Sequence, residues 1–129
     1  MLSFRKETDY ALQFMQYLAK DITRTHSLKK FAIESGISFY FLQKIARKLA
    51  KARLISAVQG VNGGYRIEVN PKKLTLYRVI EVMEEGVRLL PCVGKMKYEC
   101  KKGRSCEIKK IMAQLNVEIS KVLQRINII

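Results

Sequence analysis

Only Ile37 and Ser38 separate Gly36 from the long helical stretch that follows it, and this short interval constrains the fold of the chain more than any other feature. On its N-terminal side, Ser27 can cap a short helix, LKKFAIES, that buries Leu28, Phe31 and Ala32 and stops at Gly36, a residue suited to the left-handed conformation at a helix C-terminus. On the other side, Ser38 can cap FYFLQKIARKLAKAR. Two helices joined by so tight a turn form the helix-turn-helix pattern. LISAV and YRIEV then read as strands flanking QGVNGG, in which Asn62, Gly63 and Gly64 are expected to supply the positive backbone angles of a hairpin turn. Upstream, Ala11, Phe14, Met15, Leu18 and Ile22 recur at helical spacing over residues 9–22, and downstream Thr75 caps LYRVIEVMEE, which ends at Gly86. The order predicts a mainly α fold with a small β-hairpin wing, a winged helix-turn-helix.

Beyond Pro91 a segment carrying every cysteine runs to Cys106, and from there the chain is expected to be helical to its end. Ile108, Ile111, Met112, Leu115, Ile119, Val122, Leu123 and Ile126 fit one apolar stripe on a helix of about twenty residues, about 30 Å long. Such a stripe can fold back on its own domain, or it can pair with a second copy as a long C-terminal dimerisation helix. The expected division is a DNA-binding domain over 1–85, a cysteine-containing loop over 86–106 and a dimerisation helix over 107–129. A homodimer sets the spacing of two recognition helices on a palindromic site in double-stranded DNA.

The third helix carries the argument for nucleic acid. At about 100° per residue, Leu42, Ile45, Ala46 and Leu49 share one stripe, while Tyr40, Gln43, Lys44, Arg47 and Lys51 lie opposite. Five basic residues and no acidic one occupy Ser38 to Arg53. A charged face is most often simply solvated, but the second helix of a helix-turn-helix enters the major groove. Tyr40, Gln43 and Lys44 are therefore candidate base readers, with Gln43 suited to adenine and Lys44 to guanine, and Ser38 at the helix start is a further expected DNA contact. Arg47, Lys48 and Lys51 suit phosphates. The whole chain, with 25 Lys and Arg against 11 Asp and Glu and a net charge of +14, favours a polyanionic partner. No apolar run approaches the length needed to span a bilayer, so no membrane partner is expected.

Cys92, Cys100 and Cys106 cannot all pair within one chain, and MLSFRKETDY does not read as a secretion signal, so a cytoplasmic setting is expected. In a reducing compartment a cysteine cluster is a metal site or a set of reactive thiols, and the residues alone leave both open. Zinc accepts three sulfurs and one other ligand, although the close paired spacing of a zinc ribbon is absent. No closely spaced redox pair marks a thiol-exchange enzyme.

The chain resembles the Rrf-two family of bacterial transcription regulators over nearly its whole length. The resemblance is carried by DYAL at 9–12, GISFYFLQKIARKLAKARLISAVQGVNGGYRI at 36–67, LTLYRVIEVME at 74–84 and three cysteines before a long helix. The cysteine trio resembles the iron–sulfur branch, of the IscR, NsrR and RirA type. That resemblance implies a two-iron or four-iron cluster on Cys92, Cys100 and Cys106, and a regulator of DNA affinity that senses nitric oxide, iron or redox state. Lys95, Lys97, Lys101, Lys102 and Arg104 favour the thiolate form. A winged-helix regulator with a zinc site or directly oxidant-sensing cysteines is the alternative. Where some members place a histidine ligand, this chain has Lys109, and its one histidine, His26, is expected at the surface. Other members use an N-terminal aspartate from the partner subunit, which maps onto Asp9; a helix-cap role is the competing reading, and Glu7 and Glu107 are weaker ligand candidates. Gln59 stands where some members have a wing arginine, so Arg66 on the returning strand joins Gln59 among the expected DNA contacts.

Overall fold

The computed structural model describes residues 3–89 and 107–129. Its elements run α1 (Lys6–Ala19), α2 (Leu28–Ser35), α3 (Phe39–Lys51), β1 (Ile55–Val58), β2 (Gly64–Ile67), a 3-10 turn (Pro71–Lys73), α4 (Leu76–Met83) and α5 (Glu107–Arg125). Among the described residues, five helices and one antiparallel hairpin make the winged helix-turn-helix that the sequence predicts.

The local signals act where the sequence places them. Ser27 accepts a hydrogen bond from the Lys30 N–H and Thr75 one from the Arg78 N–H, each satisfying a donor with no partner in its first turn. Gly36 closes α2 at φ 73°, and its N–H donates to Ala32 O. Ser38 takes the N-cap position of α3, but its side chain makes no capping bond. The buried stripes of α1 (Ala11, Phe14, Met15, Leu18), α2 (Phe31), α3 (Leu42, Ile45, Leu49) and α4 (Val79, Met83) meet Leu54, Ile55 and Ile67 of the wing in a single core. The Phe14 and Phe31 rings meet at a tilt with centroids 5.2 Å apart, and Phe31 also meets Tyr17 at 4.8 Å. Truncating any of the α3 leucines leaves a cavity and costs about 2–5 kcal/mol.

Several expectations are corrected. Ile22 lies outside α1 and is exposed, because the Asp21 carboxylate accepts from the Thr23 N–H (3.0 Å) and hydroxyl (2.5 Å) and turns the chain just after Lys20. His26 is buried rather than superficial. Its backbone pairs in both directions with Tyr65, adding a bridge beside β2, while its ring nitrogen sits 2.8 Å from Asp21 O and its ring packs edge-on against Tyr17 at 5.3 Å.

The wing turn takes its positive angles at Gly60 (φ 113°) and Gly64 (φ 153°), not at Asn62 or Gly63. Gly64 has a second constraint, since a Cβ there would fall 2.3 Å from His26 O. Gly63 is constrained by space alone, with a Cβ 2.2 Å from Val58 O.

The chain is not helical to its end. After Arg125 it runs extended alongside the start of α4: Leu76 N–H donates to Ile126 O (2.8 Å) and Ile128 N–H to Leu74 O (3.2 Å), and Ile128 is buried in the core. Ile126 therefore belongs to this tail and not to the helix. The single stripe expected on α5 also divides. Leu123 is buried and Met112 and Ile119 are partly covered, whereas Ile108, Ile111, Leu115 and Val122 stay exposed.

Glu84, the C-cap residue of α4, ties that helix to the start of α1. Its carboxylate accepts from the Arg5 backbone N–H (2.9 Å), the buried Thr8 hydroxyl (2.5 Å) and Arg5 Nε (3.3 Å), while the Arg5 guanidinium also donates to Met83 O. Partial burial alone pushes this carboxyl up, but the bonds from Thr8 and Arg5 and the Arg5 charge outweigh it and hold it below the ordinary glutamate value. A depressed folded-state value stabilises the protein above the unfolded value of about 4.3, and that stabilisation disappears as pH falls through the folded value. Glu84→Gln is thus expected to unfold earlier than wild type at neutral pH, by about 1–2 kcal/mol. The gap should close in acid. Urea titrations showing the same gap at pH 7 and pH 3 would refute the role of the charge.

Candidate nucleic-acid interface

With four apolar residues of α3 in the core, the opposite face is fixed outward. Tyr40, Lys44, Arg47 and Lys51 are exposed there, Ser38 is exposed at the helix start, and Gln43 is half-buried on one flank. Lys44 Nζ lies 4.6 Å from the centre of the Tyr40 ring, a cation–π contact that orders both side chains. Lys48, on the other flank, is half-buried and paired with Glu7 of α1 at 3.5 Å. Lys48 therefore begins with an internal partner, unlike Arg47 and Lys51, which make no salt bridge among the described residues.

The wing follows at once. Leu54 N–H donates to Leu49 O, so β1 starts from the end of α3, and Arg53 makes the sharp turn at φ 61°. Gln59 and Arg66 are both exposed. From Ser35 to Ile67 the chain has no acidic residue, while Lys44, Arg47, Lys48, Lys51, Arg53 and Arg66 fall within it. Helix and wing thus contribute no carboxylate of their own, and the nearest one recorded on α3, Glu7 of α1, is paired with Lys48; the outward face suits a polyanion. Sequence reasoning passed over the exposed Phe39 and Phe41 beside Tyr40, and Val61 at the wing tip. An aromatic run at the start of an outward helix was the available signal.

The cysteine assignments, Cys92, Cys100 and Cys106, lie outside the described residues, as do the basic residues among them. The flanks are described. Asn116, buried on α5, donates from Nδ2 to Val87 O (2.9 Å) and accepts from Leu89 N–H (3.0 Å), which holds the chain just before that segment against the helix that follows it. An amide inside an apolar helical stripe was the sequence sign of this clamp. Asp9 is exposed in the first turn of α1, whose N-cap is Arg5, and its carboxylate makes no hydrogen bond among the described residues. Glu7 pairs with Lys48, and Glu107 with Lys110 at 3.3 Å. Among the described residues no helix is long and apolar enough to cross a membrane.

The model of the Rrf2 family, described as an iron-dependent transcriptional regulator, matches residues 4–129. The chain belongs to the Rrf2 family. Like other Rrf2 proteins it is a DNA-binding transcriptional regulator and not an enzyme. Among its relatives, the HTH-type transcriptional regulator NsrR of Shouchella clausii is 28% identical over 119 residues, 92% of this chain and 80% of that protein. The regulator IscR of Aliivibrio salmonicida is 33% identical over 93 residues, 72% of this chain and 54% of that protein. Among solved structures, T. potens IscR superposes with a TM-score of 0.73 at 26% identity, covering 98% of this chain and 83% of that one. CymR of B. subtilis shares the fold, with a TM-score of 0.76 at 22% identity, covering 99% and 94% of the two chains.

The Lys48–Glu7 pair separates two lysines that sequence alone treats alike. Lys51→Ala is expected to weaken binding to all DNA sequences and to lower the salt slope by about one, whereas Lys48→Ala should cost less affinity and slightly lower stability. Gln43→Ala should instead relax preference at one base pair by about 1–3 kcal/mol. Salt titrations on specific and random duplexes decide this, and identical losses for all three variants would contradict it.

Proposed function

We propose that this Rrf2 regulator works as a homodimer on a palindromic site, with its DNA affinity set by an iron–sulfur cluster held by Cys92, Cys100 and Cys106. Ser38, Tyr40, Gln43 and Lys44 read bases, and Arg47, Lys48, Lys51 and Arg66 engage phosphates. The observation that carries the reading is what flanks the cysteine segment in the chain. It follows α4, which packs on α3, and precedes α5, the helix with exposed Ile108, Ile111, Leu115 and Val122. A change in that segment therefore bears on both the DNA-facing unit and the apolar strip.

The donor set fits such a cluster. Three thiolates suit iron–sulfur chemistry, and the surrounding lysines and arginine offset their charge. Asp9 supports a fourth-ligand role because it is exposed and stands inside the helix rather than at the cap, leaving its carboxylate available as Asp9 of the partner subunit. The cluster, when bound, supplies the redox and ligand-exchange chemistry through which nitric oxide, iron supply or oxidants can act. The chain's own part is to link that site to the spacing of two α3 helices. A coupling of about 1–3 kcal/mol is enough for a useful switch.

The apolar strip supports a second copy as its cover, joined by Ile126 at the start of the tail. A two-fold pairing also places two recognition helices for a palindrome. Leu115→Glu with Val122→Lys buries charge in such an interface while sparing Leu123, which the protomer itself uses. The double variant is expected to be monomeric and to bind a single half-site weakly; light scattering that still reports dimers would place the interface elsewhere.

Anaerobic purification with absorption spectra and iron and sulfide analysis tests the cluster. Wild type should carry both elements, and alanine at any of the three cysteines should lose them. Asp9→Ala should retain iron and sulfide with an altered spectrum and faster loss. Stoichiometric zinc without sulfide would establish the zinc reading instead. Metal-free protein with cysteine-dependent oxidant sensitivity would establish the thiol one.

A further inference from the structure

Lys44, Lys48 and Lys51 follow one another at four and three residues along α3, so they form a single row about 10 Å long on its surface. The outer two have no carboxylate partner. Lys44 lies over the Tyr40 ring, and among the described residues neither it nor Lys51 makes a salt bridge. The middle lysine does, with its Nζ 3.5 Å from Oε2 of Glu7. A row of three cations therefore has a neutralised centre.

Glu7 is held in that place from behind. The next residue, Thr8, is buried, its hydroxyl donates to the Glu84 carboxylate at 2.5 Å, and its N–H donates to Arg5 O at 3.0 Å. The first turn of α1 is thus anchored to the end of α4, and it presents Glu7 to α3. The ion pair itself is loose by comparison. Its side chains remain 37% exposed for Lys48 and 32% for Glu7, and pairs so open to water are weak enough to be exchanged for another anion. An ammonium has three donors but one charge, and a carboxylate already beside it repels any phosphate brought to the same group.

We propose that Glu7 is a positioning residue that withholds the Lys48 charge from DNA, so that Lys48 is a conditional phosphate contact. This rests on the reading of α3 as the DNA-facing helix. Because Glu7 governs a phosphate contact and not a base contact, it sets a ceiling on affinity that applies to every sequence alike.

Glu7→Gln keeps the size of the side chain and removes its charge. It should bind specific and random duplexes more tightly than wild type, by up to about fivefold, with a salt slope steeper by about one. A gain in binding cannot come from misfolding. The gain should run through Lys48, so adding Lys48→Ala should cancel both changes, whereas Lys48→Ala alone should leave the wild-type slope nearly unchanged. Glu85 is the control for charge in general, since it lines a cleft with Lys48 and Lys51 but makes no salt bridge among the described residues. Glu85→Gln should leave the slope as it is. Salt titrations of the four variants decide the matter. Glu7→Gln that binds like wild type on a duplex that Lys51→Ala weakens overturns the proposal, as does a gain that survives Lys48→Ala or that Glu85→Gln reproduces. If Lys51→Ala weakens no duplex, the reading of α3 itself falls, and the proposal falls with it.

Discussion

A helix of thirteen residues that buries Leu42, Ile45, Ala46 and Leu49 has no freedom in what it shows to solvent. That burial is the constraint on which the rest depends. It places Tyr40, Lys44, Arg47 and Lys51 outward as one set, and it turns the following chain into the wing at Leu54, itself a core residue. The interface is therefore a by-product of core packing. Hydrophobic burial, worth about 2 kcal/mol or more for each large side chain, holds the charges in place without asking them to stabilise anything. Lys48 is the partial exception, since its tie to Glu7 links α3 to α1.

What the sequence made legible was local. Ser27, Gly36 and Thr75 act within four residues of themselves, so their roles could be read directly, and the periodicity of α3 survives because one helix has one buried stripe. What it hid was decided between distant segments. His26 looked superficial in a polar loop, and its burial depends on Tyr65, which pairs with it across the fold. The same pairing gives Gly64, expected only for its turn angle, a second constraint of space against His26 O. The stripe on α5 was visible, but periodicity cannot say that Leu123 turns inward while Leu115 does not. Nor could it show that Ile128 returns to the core beside Leu74.

The candidate site divides in the same way. The outward residues of α3, proposed here to face DNA, were readable as an exposed set because they alternate with core positions on one helix. The Glu84 clamp, by contrast, joins side chains more than seventy positions apart, and each of Arg5, Thr8 and Glu84 is unremarkable alone. Membership of the Rrf2 family accounts for the regulator and its DNA partner. The cysteines and Asp9 remain the part of the site that chemistry, rather than described geometry, brings together.

The anchorage of α5 has a mechanical side. Its C-terminal end is fixed by Leu123, by the tail beside Leu74 and by the Gln16 amide, which donates to Ile128 O at 2.9 Å. From Leu123 back to Glu107 the helix extends about 24 Å at 1.5 Å per residue. A tilt of about five degrees about that anchored end displaces the Glu107 end by about 2 Å. Asn116 grips the helix partway along, at Val87 and Leu89, so a pull on the chain following α4 acts through a shorter arm than that of the Glu107 end, and its displacement is magnified there.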